Sequence, residues 1–252
     1  MTQPSYLETA QGRRIAYHRT VGEGPCVVFL GGLKSDMEGT KAIHLEDWAR
    51  ATDRAFVRFD YSGHGQSTGV LEGGCIGDWH EDTLAVIDTL TEGPIVPVGS
   101  SMGGWQSLLL ARARPERLAG LVAIAAAPDF TEDGWWANFD AAQKAQLEET
   151  GKVALPSDYM EPYIVTKRMV EDGRAHLVLR DPLELPFSVR LLQGTADTAV
   201  STATATRLLD HLSCPDAQLL LVKDADHRFS DGPCLDLIEH AVNEVCAAAF
   251  IE

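Results

Sequence analysis

The 252-residue sequence is short of basic residues: 21 lysines and arginines face 37 aspartates and glutamates, a formal net charge of −16. That sign repels nucleic-acid phosphates and anionic lipid surfaces, so neither is an expected partner. Cysteine is scarce and unpatterned. The five, Cys26, Cys75, Cys214, Cys234 and Cys246, are odd in number, scattered and without a CxxC spacing. This argues against a disulfide framework and a zinc site, and for free thiols in a reducing compartment. No metal and no cofactor is expected. No apolar stretch reaches the ~20 residues that a membrane span needs. Residues 1–9 have neither the basic start and apolar run of a signal peptide nor the Arg-rich character of a transit peptide. Together these absences predict a cytoplasmic protein, and they leave its oligomeric state open. Internal repeats, low-complexity tracts and linkers are also missing.

What the chain does have is an alternation of buried-strand and helix patterns. Residues 5–20 read as a hairpin about Gln11-Gly12, and residues 25–30 as a strand apolar on both faces. Further strands are expected at 55–60, 93–98, 118–127, 188–192 and 217–222. Helices are expected at 40–51, 76–90, 105–114, 201–212 and 235–250. Between about 128 and 186 the rhythm changes: helical patterns at 139–149 and 163–172 carry no convincing strand. The prediction is one α/β domain over residues 1–252, a mostly parallel, doubly wound sheet with a small helical cap inserted at about 130–187. In such a sheet, ligands sit at the carboxyl ends of the strands.

Three chemically able residues fall at such ends. Gly99-Ser100-Ser101-Met102-Gly103 satisfies G-x-S-x-G, with a strand before it and a helix after it. Glycines at 99 and 103 suit a turn so tight that a side chain there would strike neighbouring backbone. Asp197 follows the strand at 188–192, and His227 follows the one at 217–222. A serine hydroxyl needs a neutral imidazole to take its proton, and the imidazole needs a carboxylate to set its tautomer. Ser101, Asp197 and His227 supply these groups in the chain order Ser, Asp, His. Asp129, also after a strand, competes for the role of acid. Asp224 and Asp226 lie close to His227 in sequence, but neighbours in extended chain point to opposite faces. His64, in a tight Gly-flanked turn, reads as structural. Oxyanion donors are expected from the backbone N–H of Met102 and of Leu33, with Gly32 as the other choice in that loop. Gly31-Gly32 could equally do no more than make a turn.

Over nearly its whole length the sequence resembles the α/β-hydrolase superfamily. Asp60-Tyr61-Ser62-Gly63-His64-Gly65-Gln66-Ser67 is similar to the superfamily's D-x-x-G-x-G-x-S segment. Gly39-Thr40-Lys41-Ala42, residues 58–63, residues 99–105 and Asp226-His227-Arg228 resemble the abhydrolase domain-containing protein 10 group. That group includes a mitochondrial palmitoyl-protein thioesterase that also acts as an acyl-glucuronide esterase. The resemblance implies deacylation of S-acylated cysteine or hydrolysis of related acyl esters. Two departures stand out. No transit peptide is visible, which sets the mitochondrial address aside in favour of the cytoplasm, and Gly31 stands where many members carry a histidine.

The cap is rich in large apolar side chains: Trp135, Trp136, Phe139, Tyr159, Met160, Tyr163 and Met169. Some must pack the cap down. The rest, Trp135 and Trp136 foremost, are candidates with Gly32 for contact with an acyl chain or aromatic acid. Lys167, Arg168 and Arg174 are candidates for a substrate carboxylate, set against a plain solvated helix face. Two other activities share the fold: cleavage of a carbon–carbon bond in a dicarbonyl acid, and non-catalytic ligand binding.

Overall fold

The structure, a computed structural model, describes residues 3–156 and 162–249. Ser5–Glu8 (β1) and Arg14–Thr20 (β2) form the expected antiparallel hairpin. Glu23–Leu30 (β3), Thr40–Ala51 (α1), Arg54–Phe59 (β4), Ile76–Leu90 (α2), Ile95–Ser100 (β5), Met102–Ala113 (α3) and Gly120–Ile124 (β6) follow. The chain then leaves the sheet. Ala141–Thr150 (α4), Lys152–Leu155 (β7), Tyr163–Thr166 (β8), Lys167–Ala175 (α5) and Leu183–Glu184 (β9) precede its return as Ser188–Gly194 (β10). Thr202–His211 (α6), Leu212–Ser213 (β11), Ala217–Val222 (β12) and Gly232–Ala248 (α7) complete the order.

The main sheet runs β1-β2-β4-β3-β5-β6-β10-β12. Its first two pairings are antiparallel and the rest are parallel. Successive residues of β3 part to opposite faces, as the two-residue period of a strand demands. Val28 and Leu30 join Phe59, Trp79 and Trp105 under α2 and α3, whereas Val27 and Phe29 join Leu45, Val98 and Val242 under α1 and α7. Helices on both faces explain why the central strands read as unbroken apolar runs. The edge strand β12 is different, leaving Leu220 and Leu221 exposed.

The cap holds more strand than its sequence pattern predicts. Tyr163-Ile164-Val165-Thr166 pairs antiparallel with Lys152–Leu155, so the helix expected from residue 163 begins only at Lys167. Aromatic and β-branched residues favour the pleated surface here. Thr166 ends the strand by accepting from Met169 N–H at 3.2 Å, capping α5. Phe139, Leu147, Val153, Val165 and Val170 close a small core of their own beneath the hairpin. Tyr159 and Met160 lie outside the described residues.

Candidate active site

β5 ends at Ser100 and α3 starts at Met102, leaving Ser101 alone in the turn at φ 55°, ψ −116°. A positive φ is costly for a residue with a Cβ and persists only where its surroundings hold it. They do so from both sides: Ser101 N–H donates to Ile124 O at 2.9 Å, and Ala127 N–H donates to Ser101 O at 3.1 Å. The flanking glycines have no room for anything larger. A Cβ at Gly99 would stand 2.2 Å from Gly103 O, and one at Gly103 only 1.9 Å from Leu30 O.

The acid and histidine loops are bonded to each other as well as to the sheet. Thr195 N–H donates to Val222 O at 2.9 Å and Ala196 N–H to Ala225 O at 3.0 Å. Asp224 N–H donates to the Thr195 hydroxyl at 2.9 Å. A Cβ at Gly194 would meet Ala225 O at 2.2 Å, so the two loops approach as closely as glycine allows. Asp226 is occupied within its own turn, accepting from the N–H groups of Arg228 and Phe229. The Lys41 ammonium on α1 donates to Arg228 O.

This framework brings the three predicted residues together. The Ser101 hydroxyl lies 3.1 Å from His227 Nε2, and His227 Nδ1 lies 2.8 Å from Asp197 Oδ2. The His227 side chain is 18% exposed and that of Asp197 is fully buried. Asp197 Oδ1 accepts from Ala199 and Val200 N–H, both at 2.8 Å, and Oδ2 also accepts from Gln193 Nε2 at 2.9 Å. Burial pushes the Asp197 carboxyl up, but the bonds from His227, Val200 and Gln193 outweigh it and hold the group below its ordinary value. Asp129 is elsewhere: wholly buried, it accepts from Val178 and Leu179 N–H at 2.8 and 3.0 Å and pairs with Arg180. The sequence reading gives Gln193 no role; the signal it offers is an amide directly after Leu191-Leu192 and four residues before Asp197.

Gly32 lies against the serine, where a Cβ would stand 3.3 Å from Ser101 Cβ. The loop closes when the Ser35 hydroxyl and N–H both donate to Gly32 O, at 2.7 and 3.1 Å, leaving Leu33 and Lys34 at the centre of the turn. Lys34 reaches the cap, donating to Pro162 O at 3.1 Å beside the Tyr163 ring. From Tyr163 an aromatic series runs back through Trp135 and Phe130 to Trp105 on α3. Trp135 therefore touches both the main core and the cap core, whereas Trp136 packs on Phe139 between Lys144 and Arg174. Lys167, Arg168 and Arg174 pair with Glu148, Asp78 and Glu132. His64 lies between Tyr61 and Trp79, and burial pushes it down to about 4, so it is neutral.

A sheet of this order, with a strained serine after β5 and an acid–histidine pair after β10 and β12, defines an α/β-hydrolase. The chain belongs to that family: its alpha/beta hydrolase family model matches residues 27–247. It is similar to "Palmitoyl-protein thioesterase ABHD10, mitochondrial" of Bos taurus, 34% identical over 249 residues, covering 97% of this chain and 80% of the relative. The human protein of that name is 33% identical over 246 residues, with 97% and 80% covered. Among solved structures, "Putative hydrolase from Agrobacterium vitis S4" superposes with a TM-score of 0.93 at 37% identity, covering 97% of this chain and 98% of that one. Alpha/beta hydrolase domain-containing protein 10 from mouse gives 0.91 at 31% identity, covering 98% and 99%. The protein is accordingly a hydrolytic enzyme, which sets non-catalytic ligand binding aside. The cytoplasmic expectation is corrected, because these relatives are named mitochondrial. Free thiols mark a reducing compartment and do not tell one such compartment from another. Among the described residues, no helix is long and apolar enough to cross a membrane.

Proposed function

We propose that the protein is a serine acyl hydrolase that cleaves thioesters or carboxylic esters through an acyl-enzyme on Ser101. The observation that carries this reading is the continuous line from the Ser101 hydroxyl through His227 to Asp197, with contacts of 3.1 and 2.8 Å. His227 Nε2 takes the hydroxyl proton as Ser101 Oγ attacks the acyl carbon, and Asp197 holds the other ring nitrogen and supports the imidazolium. The carbonyl oxygen becomes an oxyanion facing the N–H groups of Met102 and Leu33, where each donor contributes about 3 kcal/mol to lowering the barrier. Collapse expels the thiolate or alkoxide, which takes its proton from His227. Water then repeats the sequence, releasing the carboxylic acid and restoring Ser101.

The cap side of the site supports an apolar acyl group. Trp135 and Phe130 continue the aromatic series from Trp105 on α3 to Tyr163 on the cap. Relatives named palmitoyl-protein thioesterase favour an S-acylated cysteine of palmitoyl type, or a small acyl ester, as substrate. Two measurements test the reading. A fluorophosphonate probe should label Ser101 in wild type and fail to label His227→Ala. Turnover should be compared across S-palmitoyl peptides, acyl-CoA and aryl esters. Absence of Ser101 labelling overturns the acyl-enzyme, and ester turnover without thioester turnover overturns the thioesterase assignment.

A further inference from the structure

Gln193 is the last polar residue of β10, follows Leu191 and Leu192 directly, and is 1% exposed. Its amide nitrogen faces three oxygens: Asp197 Oδ2 at 2.9 Å, Val200 O at 3.0 Å and Gly194 O at 3.1 Å. That environment fixes the amide's direction, since the reverse orientation would set a carbonyl oxygen against a carboxylate and two carbonyls. Among the described residues, the buried Oε1 at the other end of the amide has no hydrogen-bond partner. An orphaned buried acceptor weakens a fold, and an apolar side chain at this position would avoid it. What the amide contributes at this position comes from its nitrogen.

Among the described residues, Asp197 has four donors for its four lone-pair directions. Ala199 and Val200 N–H occupy Oδ1, while His227 Nδ1 and Gln193 Nε2 share Oδ2. We infer that Gln193 is a positioning residue for the reaction: it aims Asp197 Oδ2 at His227 and, by sharing that oxygen, limits how strongly the carboxylate holds the protonated ring. The inference rests on the triad reading above. The charged residues nearest in the two loops and on α1 are Asp224, Asp226, Arg228 and Lys41: Asp224 donates its N–H to Thr195, Asp226 accepts from its own turn, and Lys41 donates to Arg228 O.

The test is the pH profile of kcat/KM for Gln193→Met, which keeps the volume and removes the donor, and for Gln193→His, which can donate again. Gln193→Leu replaces the methionine variant if that one does not fold. In Gln193→Met, Oδ2 serves His227 alone, so the protonated ring persists to higher pH. The acid limb should move up by about half a pH unit, a fraction of what one hydrogen bond to a charged group is worth. The plateau should fall roughly tenfold through loss of aim, with KM changed far less. Gln193→His should restore the wild-type limb. A purely structural role predicts lower Tm and lower activity in both variants with the limb unmoved, and that result overturns the inference. Fluorophosphonate labelling of Ser101 in the wild type is run alongside. Its absence sinks the triad reading itself, whereas labelling with an unmoved limb sinks only the role of Gln193.

Discussion

At residue 197, carboxylate and amide differ by one group with opposite hydrogen-bonding sense. In Asp197→Asn the side-chain NH2 can face Nδ1 and favour the tautomer that leaves Nε2 protonated and unable to accept from Ser101. We expect a folded protein whose kcat falls by about 10⁴, read by steady-state turnover beside an unchanged circular dichroism spectrum. Asp129 predicts the reverse pattern. It is wholly buried and closes the turns at Val178 and Leu179. Asp129→Ala orphans those N–H groups and the Arg180 contact, and should lower stability by about 2–4 kcal/mol in chemical denaturation. The pH profile of the folded fraction should keep its shape. Two aspartates after neighbouring strands look alike in sequence. The choice between them depends on which loop touches the histidine loop, a contact made through Ala196 and Ala225 that no local spacing encodes.

At the scale of elements, the elbow is the most constrained segment of the chain. Gly103→Ala would force a methyl group into Leu30 O, and neither β3 nor α3 can retreat without opening the sheet. The expected outcome is a loss of more than about 3 kcal/mol, seen as a lower Tm or an insoluble product. Much of this level was legible in the chain. The bounds of α1 and α2 agree with the sequence patterns, and the parallel strands were announced by their two-sided apolarity. The cap was less legible because its hairpin joins segments a dozen residues apart, and because Tyr163–Thr166 continues into a true helix that lent it a helical rhythm. The start of α3 was also placed late. Gly103 and Gly104 have poor helix propensity, and it is the fixed geometry of Ser101 that launches the helix.

For the whole molecule, two buried histidines make acid destabilising. His64 and His80 are pushed down to about 4, by burial first and, for His80, by nearby positive charge. Both rings take up protons near pH 6.5 in the unfolded chain and only near 4 in the folded one. Between those values the unfolded state binds more protons. Stability is therefore complete above about 6.5 and declines as the pH falls toward 4. For His64, which is 4% exposed, the loss approaches ~3 kcal/mol. Denaturation midpoints taken at intervals across that range should fall steadily, and His64→Gln should flatten the slope. Asp197 acts later, since its lowered value keeps its contribution intact until the medium is more acidic than its ordinary range.

The two backbone bonds that seat Ser101 both reach into β6 and the residues just after it, not into the segment that follows. The turn that carries Ser101 thus hangs from the sheet, while the cap is tied to the rest of the fold by contacts of its own, among them Asp129 with Val178 and Leu179, Trp105 with Phe130 and the His176 carbonyl, Arg168 with Asp78, and Arg207 with Asp133. A substitution confined to the cap hairpin should therefore leave the backbone conformation of Ser101 as it is.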